Sequence, residues 1–394
     1  MIITLPASKS IANRALIIDA LSGGHSTIEN LSEARDTQTM KRLLNSGDHV
    51  LDVLDAGTTM RFLTAYLAVS EKSNVLTGTE RMRQRPIKVL VEALLKLGAN
   101  ISYLEDAGFP PIKIDAFGEQ RSNRLQVRGD ISSQYISALL MIAPTLPQGL
   151  TLELTGKVGS KPYIAMTLSV MESFGVKANW EDNSVEVPPQ AYQPTHYYVE
   201  PDWSAASYWY SIAALSTGGD ITLRDLKEVS LQGDSVIANL MKPLGVATTF
   251  TDEGAVLHRT KHVEHTSIDF THCPDLAQTI AVVCAVKGIT CEMTGLESLR
   301  IKETDRIAAL QNELGKLGSK IVEDEGKWQL IPSNNPMDYR EITVKTYEDH
   351  RMAMAFGPLA THMDVSILDP AVVNKSYPGY WKDLQRASFN VQES

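Results

Sequence analysis

Arg300-Ile301-Lys302-Glu303-Thr304-Asp305-Arg306-Ile307-Ala308-Ala309-Leu310 runs on through Leu314 to Leu317-Gly318-Ser319-Lys320-Ile321-Val322. A charged run comes first, in which five of seven residues are ionisable. Ile307, Leu310 and Leu314 then recur at helical spacing. Leu-Gly stops the helix, and a strand-like stretch follows. With a helix starting near Thr304, Arg306 falls in its first turn, where the dipole disfavours a cation. Either this is a solvated surface charge, the usual outcome for an isolated run, or function holds it there. Lys302 beside Glu303 could keep that carboxylate ionised, or Glu303 could pass a proton on as a general acid. A second dense polar run, Tyr347-Glu348-Asp349-His350-Arg351, also opens directly into an apolar helical stretch, Met352-Ala353-Met354-Ala355. Two such runs favour the functional reading.

The Leu-Gly step recurs. It stands at Leu97-Gly98, Phe174-Gly175, Leu244-Gly245 and Leu317-Gly318, each followed by strand-like residues, at intervals of roughly 70 residues. That period is too long for a solenoid and suits a repeated βα subdomain. Asn45-Ser46-Gly47 reads as an earlier, shortened copy, and residues 150–154 alternate as a half-buried strand. The pattern predicts an α/β chain of βαβ-containing units in two halves. Residues 8–201 form the expected N-terminal domain. Residues 202–394, joined by 1–7, form the C-terminal one, with two short connections acting as a hinge.

At 394 residues, two domains are the default. Hydrophobic residues make up 43% and charged residues 21%, the balance of a globular protein. A net charge of -10 argues against a nucleic-acid or anionic-membrane surface as the main partner, though a local basic cleft is compatible with it. No apolar run reaches the length of a membrane span. Met1-Ile2-Ile3-Thr4-Leu5-Pro6 lacks the features of a signal peptide, so a cytoplasmic location is expected. Cys273, Cys284 and Cys291 are odd in number and lack metal spacing, which points to free thiols. Cys273 could be a nucleophile by type; a buried thiol is the commoner outcome. No paired His/Cys set suggests zinc.

Six predicted helix starts carry hydroxyls, amides or cations. They are Ser8-Lys9-Ser10 (with Arg14 one turn on), Ala56-Gly57-Thr58, the Arg81, Arg83, Arg85-Pro86 segment, Ser132-Ser133-Gln134, Ser160-Lys161-Pro162-Tyr163 and Gln232-Gly233-Asp234-Ser235. The free N–H groups of a helix N-terminus suit an anion, and arginine can bind one bidentately. One such start means little. Six of them with two charged runs predict an anion-binding cleft built from helix N-termini.

The motifs Lys9-Ser10 with Asn13-Arg14, Ala56-Gly57-Thr58 with Met60-Arg61, Arg85-Pro86-Ile87, Ser132-Ser133-Gln134, Ser160-Lys161-Pro162-Tyr163, Gln232-Gly233-Asp234, Pro274-Asp275, Lys302-Glu303-Thr304-Asp305-Arg306, Asp349-His350-Arg351-Met352-Ala353-Met354 and Lys375 span the chain. In that order, the sequence resembles the 3-phosphoshikimate 1-carboxyvinyltransferase family, the 5-enolpyruvylshikimate-3-phosphate (EPSP) synthases. The resemblance implies a two-domain, inside-out α/β barrel of repeated βαβαββ units with the active site in the inter-domain cleft. The first unit is shortened between Lys41 and Asp55. The resemblance further implies transfer of the enolpyruvyl group of phosphoenolpyruvate to the 5-hydroxyl of shikimate 3-phosphate by addition–elimination, a step of chorismate and aromatic amino acid biosynthesis. It implies no metal and no organic cofactor, only these small-molecule substrates as partners, and a monomer. Substrate binding to both domains would close them.

By the same resemblance, Lys9, Gly57, Arg85, Gln134, Arg306, Arg351 and Lys375 would hold phosphoenolpyruvate. Lys9, Ser10, Arg14, Ser132, Ser133, Gln134, Ser160, Tyr163, Asp275 and Lys302 would hold shikimate 3-phosphate. Asp275 would be the base for the 5-hydroxyl and Glu303 would handle the proton at C3, with Lys9 beside them at the reacting centre. Read alone, Asp275 after Pro274 would be a helix cap. The chain departs from the family pattern at Ala7 (usually Gly), Asp55 (usually Asn) and Ser298 (usually Asn). A carboxylate at Asp55 near an anion site would repel it unless it is protonated, paired or turned away. Two alternatives are enolpyruvyl transfer to UDP-N-acetylglucosamine in the same fold, and a non-catalytic homologue that binds phosphorylated metabolites.

Overall fold

The computed structural model describes residues 1–130, 132–156, 158–159, 161–334 and 341–392. By packing, the chain divides into two compact units, Ala7–Val199, and Met1–Pro6 with Glu200–Ser394.

Unit Ala7–Val199 contains the repeat in complete form twice. Strand Val50–Asp52, helix Gly57–Ala68 and strand Asn74–Thr77 make a parallel βαβ. Helix Lys88–Leu97 follows, and the hairpin Asn100–Tyr103 with Ile112–Asp115 closes the copy. The hairpin's second strand lies beside Asn74–Thr77, which gives a four-stranded sheet. Arg124–Arg128, Ser133–Ile142, Leu150–Thr155, Lys161–Ser173, Asn179–Glu181 and Ser184–Val187 repeat every step. Leu150–Thr155 alternates buried and part-exposed residues as the sequence predicts.

The third copy is abbreviated. His196–Tyr198 pairs in parallel with Thr27–Glu29, alongside helices Lys9–Leu21 and Arg35–Leu44. Among the described residues no hairpin follows, because the chain passes through Asn45-Ser46-Gly47 straight into Val50–Asp52. The shortening expected between Lys41 and Asp55 is therefore present. Asn45-Ser46-Gly47 is not a copy of the Leu-Gly step, since it has no hairpin to introduce.

The other unit uses the same device. Ile2–Thr4 pairs in parallel with Ile221–Arg224 across helix Trp203–Leu215, and the hairpin Val246–Thr251 with Gly254–Arg259 completes that sheet. His265–Asp269, helix Ala277–Lys287, Thr290–Thr294, helix Arg306–Gly315 and the hairpin Lys320–Asp324 with Lys327–Ile331 form the next copy. A parallel pair, Glu341–Lys345 with Asp364–Leu368, forms a third with helices His350–Phe356 and Tyr380–Arg386.

The Leu-Gly step is where each complete copy turns from its second helix to its hairpin. Gly98, Gly175, Gly245 and Gly318 have φ of 110°, 84°, 97° and 73°, the left-handed region that terminates helices and favours glycine. At Gly98 the need is also steric, because a β-carbon would stand 2.1 Å from the Glu119 carbonyl oxygen.

Helices lie inside and sheets outside. In the first unit Lys9–Leu21, Gly57–Ala68 and Ser133–Ile142 each touch the other two, and each of Arg35–Leu44, Lys88–Leu97 and Lys161–Ser173 bridges a pair of them. Trp203–Leu215, Ala277–Lys287 and His350–Phe356 make the same mutual contacts in the second. The inner helices are not amphipathic in the ordinary sense. Lys9–Leu21 buries every residue from Ile11 to Ile18, and Ser133–Ile142 every residue from Tyr135 to Ile142. The bridging helix Lys88–Leu97 buries only a face of Leu90, Val91, Ala93, Leu94 and Leu97. Each buried Leu or Ile is worth about 1.5–3 kcal/mol, so the inner helices anchor both units. The N-terminal ends of inner and bridging helices carry many of the residues singled out from the sequence. All three cysteines are buried and free. Among the described residues no helix is long and apolar enough to cross a membrane.

Candidate active site

Arg306 lies at the centre of the richer cluster. It is the first residue of helix Arg306–Gly315, whose cap is Asp305; the Asp305 carboxylate accepts from the N–H groups of Ile307 (3.1 Å) and Ala308 (3.0 Å). The helix thus starts two residues later than expected, and Arg306 opposes the dipole as the sequence suggests. Three carboxylates make that placement tolerable. Arg306 Nε donates to Asp349 Oδ2 (2.6 Å), Nη1 to Asp275 Oδ1 (2.9 Å) and Nη2 to Glu303 Oε2 (2.9 Å). Burial disfavours the guanidinium's charge, but Asp349, Glu303 and Asp275 overcome this and raise its pKa above the ordinary value.

Asp275 sits in the turn Pro274–Leu276 ahead of helix Ala277–Lys287. Among the described residues it caps no helix: its second oxygen accepts from Arg351 Nη2 (3.0 Å), and its carbonyl from Arg351 Nη1 (3.2 Å). Burial would raise its pKa, yet Arg351, Lys302 and Arg306 together hold it well below the usual carboxylate range. Glu303 is shared between Arg306 and Lys375, whose Nζ is 3.7 Å from Oε1. Lys302, the sequence neighbour expected to hold Glu303, is half-buried; burial lowers its pKa, and Asp275 and Glu303 partly offset this. Asp275, Lys302, Glu303, Arg306, Arg351 and Lys375 are thus one connected cluster of four cations and two carboxylates, backed by the buried Asp349. Cys273 is buried, and burial with nearby Asp234, Asp269 and Asp275 pushes its thiol up to about 12, so it is not an activated nucleophile.

The Ala7–Val199 unit carries the other expected residues. Gln134 Nε2 donates to Thr58 Oγ1 (3.1 Å) at the start of the Gly57–Ala68 helix, and Ser132 caps the Gln134 N–H (3.4 Å). The Arg85 guanidinium lies over Gly57, where a β-carbon would be 2.6 Å from Nη1. Gly57, Arg85 and Gln134 therefore form one patch, with Ser132 and Ser133 half-buried beside it. The neighbouring arginines are spent elsewhere: Arg83 pairs with Glu105 (3.2 Å), and Arg81 reaches Gln84. Buried Arg61 ties the patch together by donating to the carbonyls of Gly57 (3.2 Å) and Pro86 (3.0 Å). Pro86 is not the first helical residue; its helix begins at Lys88.

Lys9 pairs with the buried Asp36 (3.1 Å), whose carbonyl accepts from Thr59 Oγ1 (3.2 Å). Ser8 occupies the cap position of its helix without a side-chain cap bond, and Ser10, the second helical residue, is half-buried. Arg14 lies deeper. It is 3% exposed and donates to Thr167 Oγ1 (2.8 Å), the Ser10 carbonyl (2.8 Å) and Ser137 Oγ (2.9 Å), and its guanidinium stacks near the rings of Phe62 and Tyr163. Burial lowers its pKa to about 10. These bonds join the inner helices Lys9–Leu21 and Ser133–Ile142 to the bridging helix Lys161–Ser173. Ser160 lies outside the described residues. Asp55 forms an exposed two-pronged pair with Arg35 (2.9 Å to each oxygen), so of the escapes expected for it the paired one is present.

Asp36, Arg61 and Asp349 hold the expected ligands in place and were not assigned a site role from sequence. Asp349 has a signal in its charged run. Asp36 has none, being one carboxylate on an ordinary outer helix.

Cations gathered at helix N-termini, with two carboxylates on one buried guanidinium, are the equipment of a metabolic enzyme that binds small polyanions and moves protons on them. Comparison with known proteins narrows this. The family profile for EPSP synthase (3-phosphoshikimate 1-carboxyvinyltransferase) matches residues 1–46 and 41–384. A curated 3-phosphoshikimate 1-carboxyvinyltransferase of Bacteroides fragilis is 51% identical, covering 99% of this chain and 96% of that protein. One from Sulfurovum is 36% identical, covering 98% and 96%. The fold matches that of an EPSP synthase from Acinetobacter baumannii with a TM-score of 0.77 at 19% identity, covering 100% of this chain and 96% of the other. The chain belongs to the EPSP synthase family.

Proposed function

We propose that this enzyme transfers the enolpyruvyl group of phosphoenolpyruvate to the 5-hydroxyl of shikimate 3-phosphate, releasing phosphate in aromatic amino acid biosynthesis. Family membership and near full-length relatives support the reaction. The observation that carries its chemistry is the pair of carboxylates, Asp275 and Glu303, held on the one guanidinium of Arg306.

The reaction needs two proton-transfer groups. The 5-hydroxyl adds to C2 of phosphoenolpyruvate and loses its proton, while C3 gains one, which gives a tetrahedral ketal phosphate. C3 then returns a proton as the C2–O bond to phosphate breaks. Asp275 takes the hydroxyl proton and Glu303 serves C3. In the free enzyme Asp275 is a weak base, because Arg351, Lys302 and Arg306 stabilise its anion against the cost of burial. Anionic phosphoenolpyruvate, bound to Arg306, Arg351 and Lys375, draws on the same cations. Asp275 therefore becomes more basic when the substrate is in place.

Gly57, Arg85, Gln134 and Lys9 complete the phosphoenolpyruvate site. Ser10, Arg14, Ser132, Ser133, Gln134, Ser160, Tyr163 and Lys302 take shikimate 3-phosphate, with Lys9 and Asp275 at its reacting hydroxyl. Fixed donors and cations of this kind stabilise the charge that develops on the leaving phosphate. We assign the enzyme to the cytoplasm as a monomer. The test is phosphate release from phosphoenolpyruvate with shikimate 3-phosphate as acceptor; release only with UDP-N-acetylglucosamine, or with neither, would refute the assignment.

A further inference from the structure

Near Arg351 and Asp275 lies a further carboxylate outside the cluster above. Asp234 sits in the turn Gly233–Val236 and is 4% exposed. One of its oxygens accepts the hydroxyl of Ser204, a residue of the Trp203–Leu215 helix. Its other oxygen, Oδ1, is buried without a hydrogen-bond partner among the described residues. Leaving a buried carboxylate oxygen unsatisfied is costly and needs a reason. Arg351 supplies one, because its Nη2 reaches both Asp275 Oδ2 (3.0 Å) and Ser204 Oγ (3.4 Å).

The hydrogen-bond directions matter. A hydroxyl has one proton and two lone pairs. With Asp234 ionised, the Ser204 proton points to the carboxylate, so a lone pair is left to accept from Arg351. With Asp234 protonated, the carboxylic acid can donate to Ser204, whose own proton then turns toward the guanidinium and opposes it.

We propose that Asp234, acting through Ser204, is a positioning residue that fixes the orientation of Arg351 toward phosphoenolpyruvate. This rests on the reading of Arg351 as a phosphoenolpyruvate ligand. The charged groups facing Asp234 are Asp275 from the turn before the Ala277–Lys287 helix, Arg351 from the His350–Phe356 helix and Asp202 from the cap of the Trp203–Leu215 helix; the Cys273 thiol is also near. Burial, with the charge of Asp275, pushes the Asp234 carboxyl up to about 6, so the switch lies just below neutrality.

The test is steady-state kinetics of wild type, D234N, S204A and S204T, varying phosphoenolpyruvate at saturating shikimate 3-phosphate between about pH 5.5 and 8. Losing one such aligned contact should raise the KM for phosphoenolpyruvate about tenfold in D234N and S204A, with kcat within about threefold. S204T, which keeps the hydroxyl, should restore KM. The D234N/S204A double variant should be no worse than D234N, because the two residues act in series. The ratio of wild-type to D234N KM should climb toward one as pH falls through about 6. Ionisation of the substrate phosphate is common to both enzymes and cancels in that ratio. D234N removes a desolvated charge, so its melting temperature should not fall. If wild type turns over but D234N and S204A keep KM within about twofold, the positioning role is overturned. A lower melting temperature with unchanged KM also overturns it, in favour of a purely structural Asp234. If wild type releases no phosphate from this substrate pair, the underlying assignment fails instead.

Discussion

Arg306 Nε and Asp349 Oδ2 stand 2.6 Å apart, joining residues 43 positions apart in sequence, with both side chains almost wholly out of solvent. Asp349 also caps the His350–Phe356 helix through the Arg351 N–H (2.9 Å). It thus sets Arg306 and the start of the Arg351 helix together. The two residues before it, Tyr347 and Glu348, have φ of 55° and 58°, a left-handed conformation that costs of order 1–3 kcal/mol per residue. The Tyr347 hydroxyl, donating to buried Glu313 (2.8 Å), helps hold that turn.

Asp349→Ala should therefore destabilise the protein by about 3–5 kcal/mol, since it strands a buried guanidinium and removes a cap. Tyr347→Phe should cost about 1 kcal/mol. Urea unfolding measures both. Wild-type stability in Asp349→Ala would mean that Asp275 and Glu303 alone satisfy Arg306.

Asp275→Asn and Glu303→Gln should each lower kcat by about two to four orders of magnitude, the usual worth of a positioned acid or base. Substrate affinity should change far less. Near-wild-type turnover in either would remove that residue from proton transfer. The pH dependence of stability gives a second reading on Asp275. Its folded-state pKa is depressed, so its stabilising effect is complete above the unfolded value of about 3.9 and disappears only as pH falls through the lower, folded one. The melting-temperature deficit of Asp275→Asn should be constant above about pH 7, where Asp234 is ionised in both proteins, and should be lost only in strong acid.

Much of this was legible in the sequence. The Leu-Gly repeat gave the copies because helix termination by a left-handed residue is a local event that a Gly position records. The missing hairpin after Leu44 was legible as missing chain. Arg306 could be flagged as a misplaced charge, but which carboxylates surround it could not, because Asp275 arrives from the first helix start of the same copy, 31 residues back, and Asp349 from another copy. Lys302 was the natural partner for Glu303 by adjacency, and its charge does interact with Glu303; the fold adds Lys375 and Arg306, which sequence could not show. Arg14, expected to hold shikimate 3-phosphate, is buried, with three of its five N–H donors on Thr167, Ser10 and Ser137; that depth cannot be seen in a basic residue near a helix start.

Gly57→Ala should weaken phosphoenolpyruvate while leaving the fold intact. Its β-carbon would meet Arg85 Nη1 at 2.6 Å, and the mobile end of an arginine can yield without disturbing the core. Displacing one charge-assisted contact is worth about 1.5–3 kcal/mol, so KM should rise by about ten- to a hundredfold. Kinetics and a melting curve test this; an unchanged KM would show that Arg85 does not touch the substrate.

Asp55→Asn should change stability by less than about 1 kcal/mol, because the Arg35 pair it breaks is solvent-exposed. Phosphoenolpyruvate KM should stay level or fall, since a carboxylate near an anion site is removed. A large rise in KM would make the Arg35–Asp55 pair part of the site.

The most direct measurement is phosphate release by the purified protein given phosphoenolpyruvate with shikimate 3-phosphate, with UDP-N-acetylglucosamine, or alone. Release with shikimate 3-phosphate only, lost in both Asp275→Asn and Glu303→Gln, is the predicted result. Release with UDP-N-acetylglucosamine, or wild-type release from either variant, would contradict it.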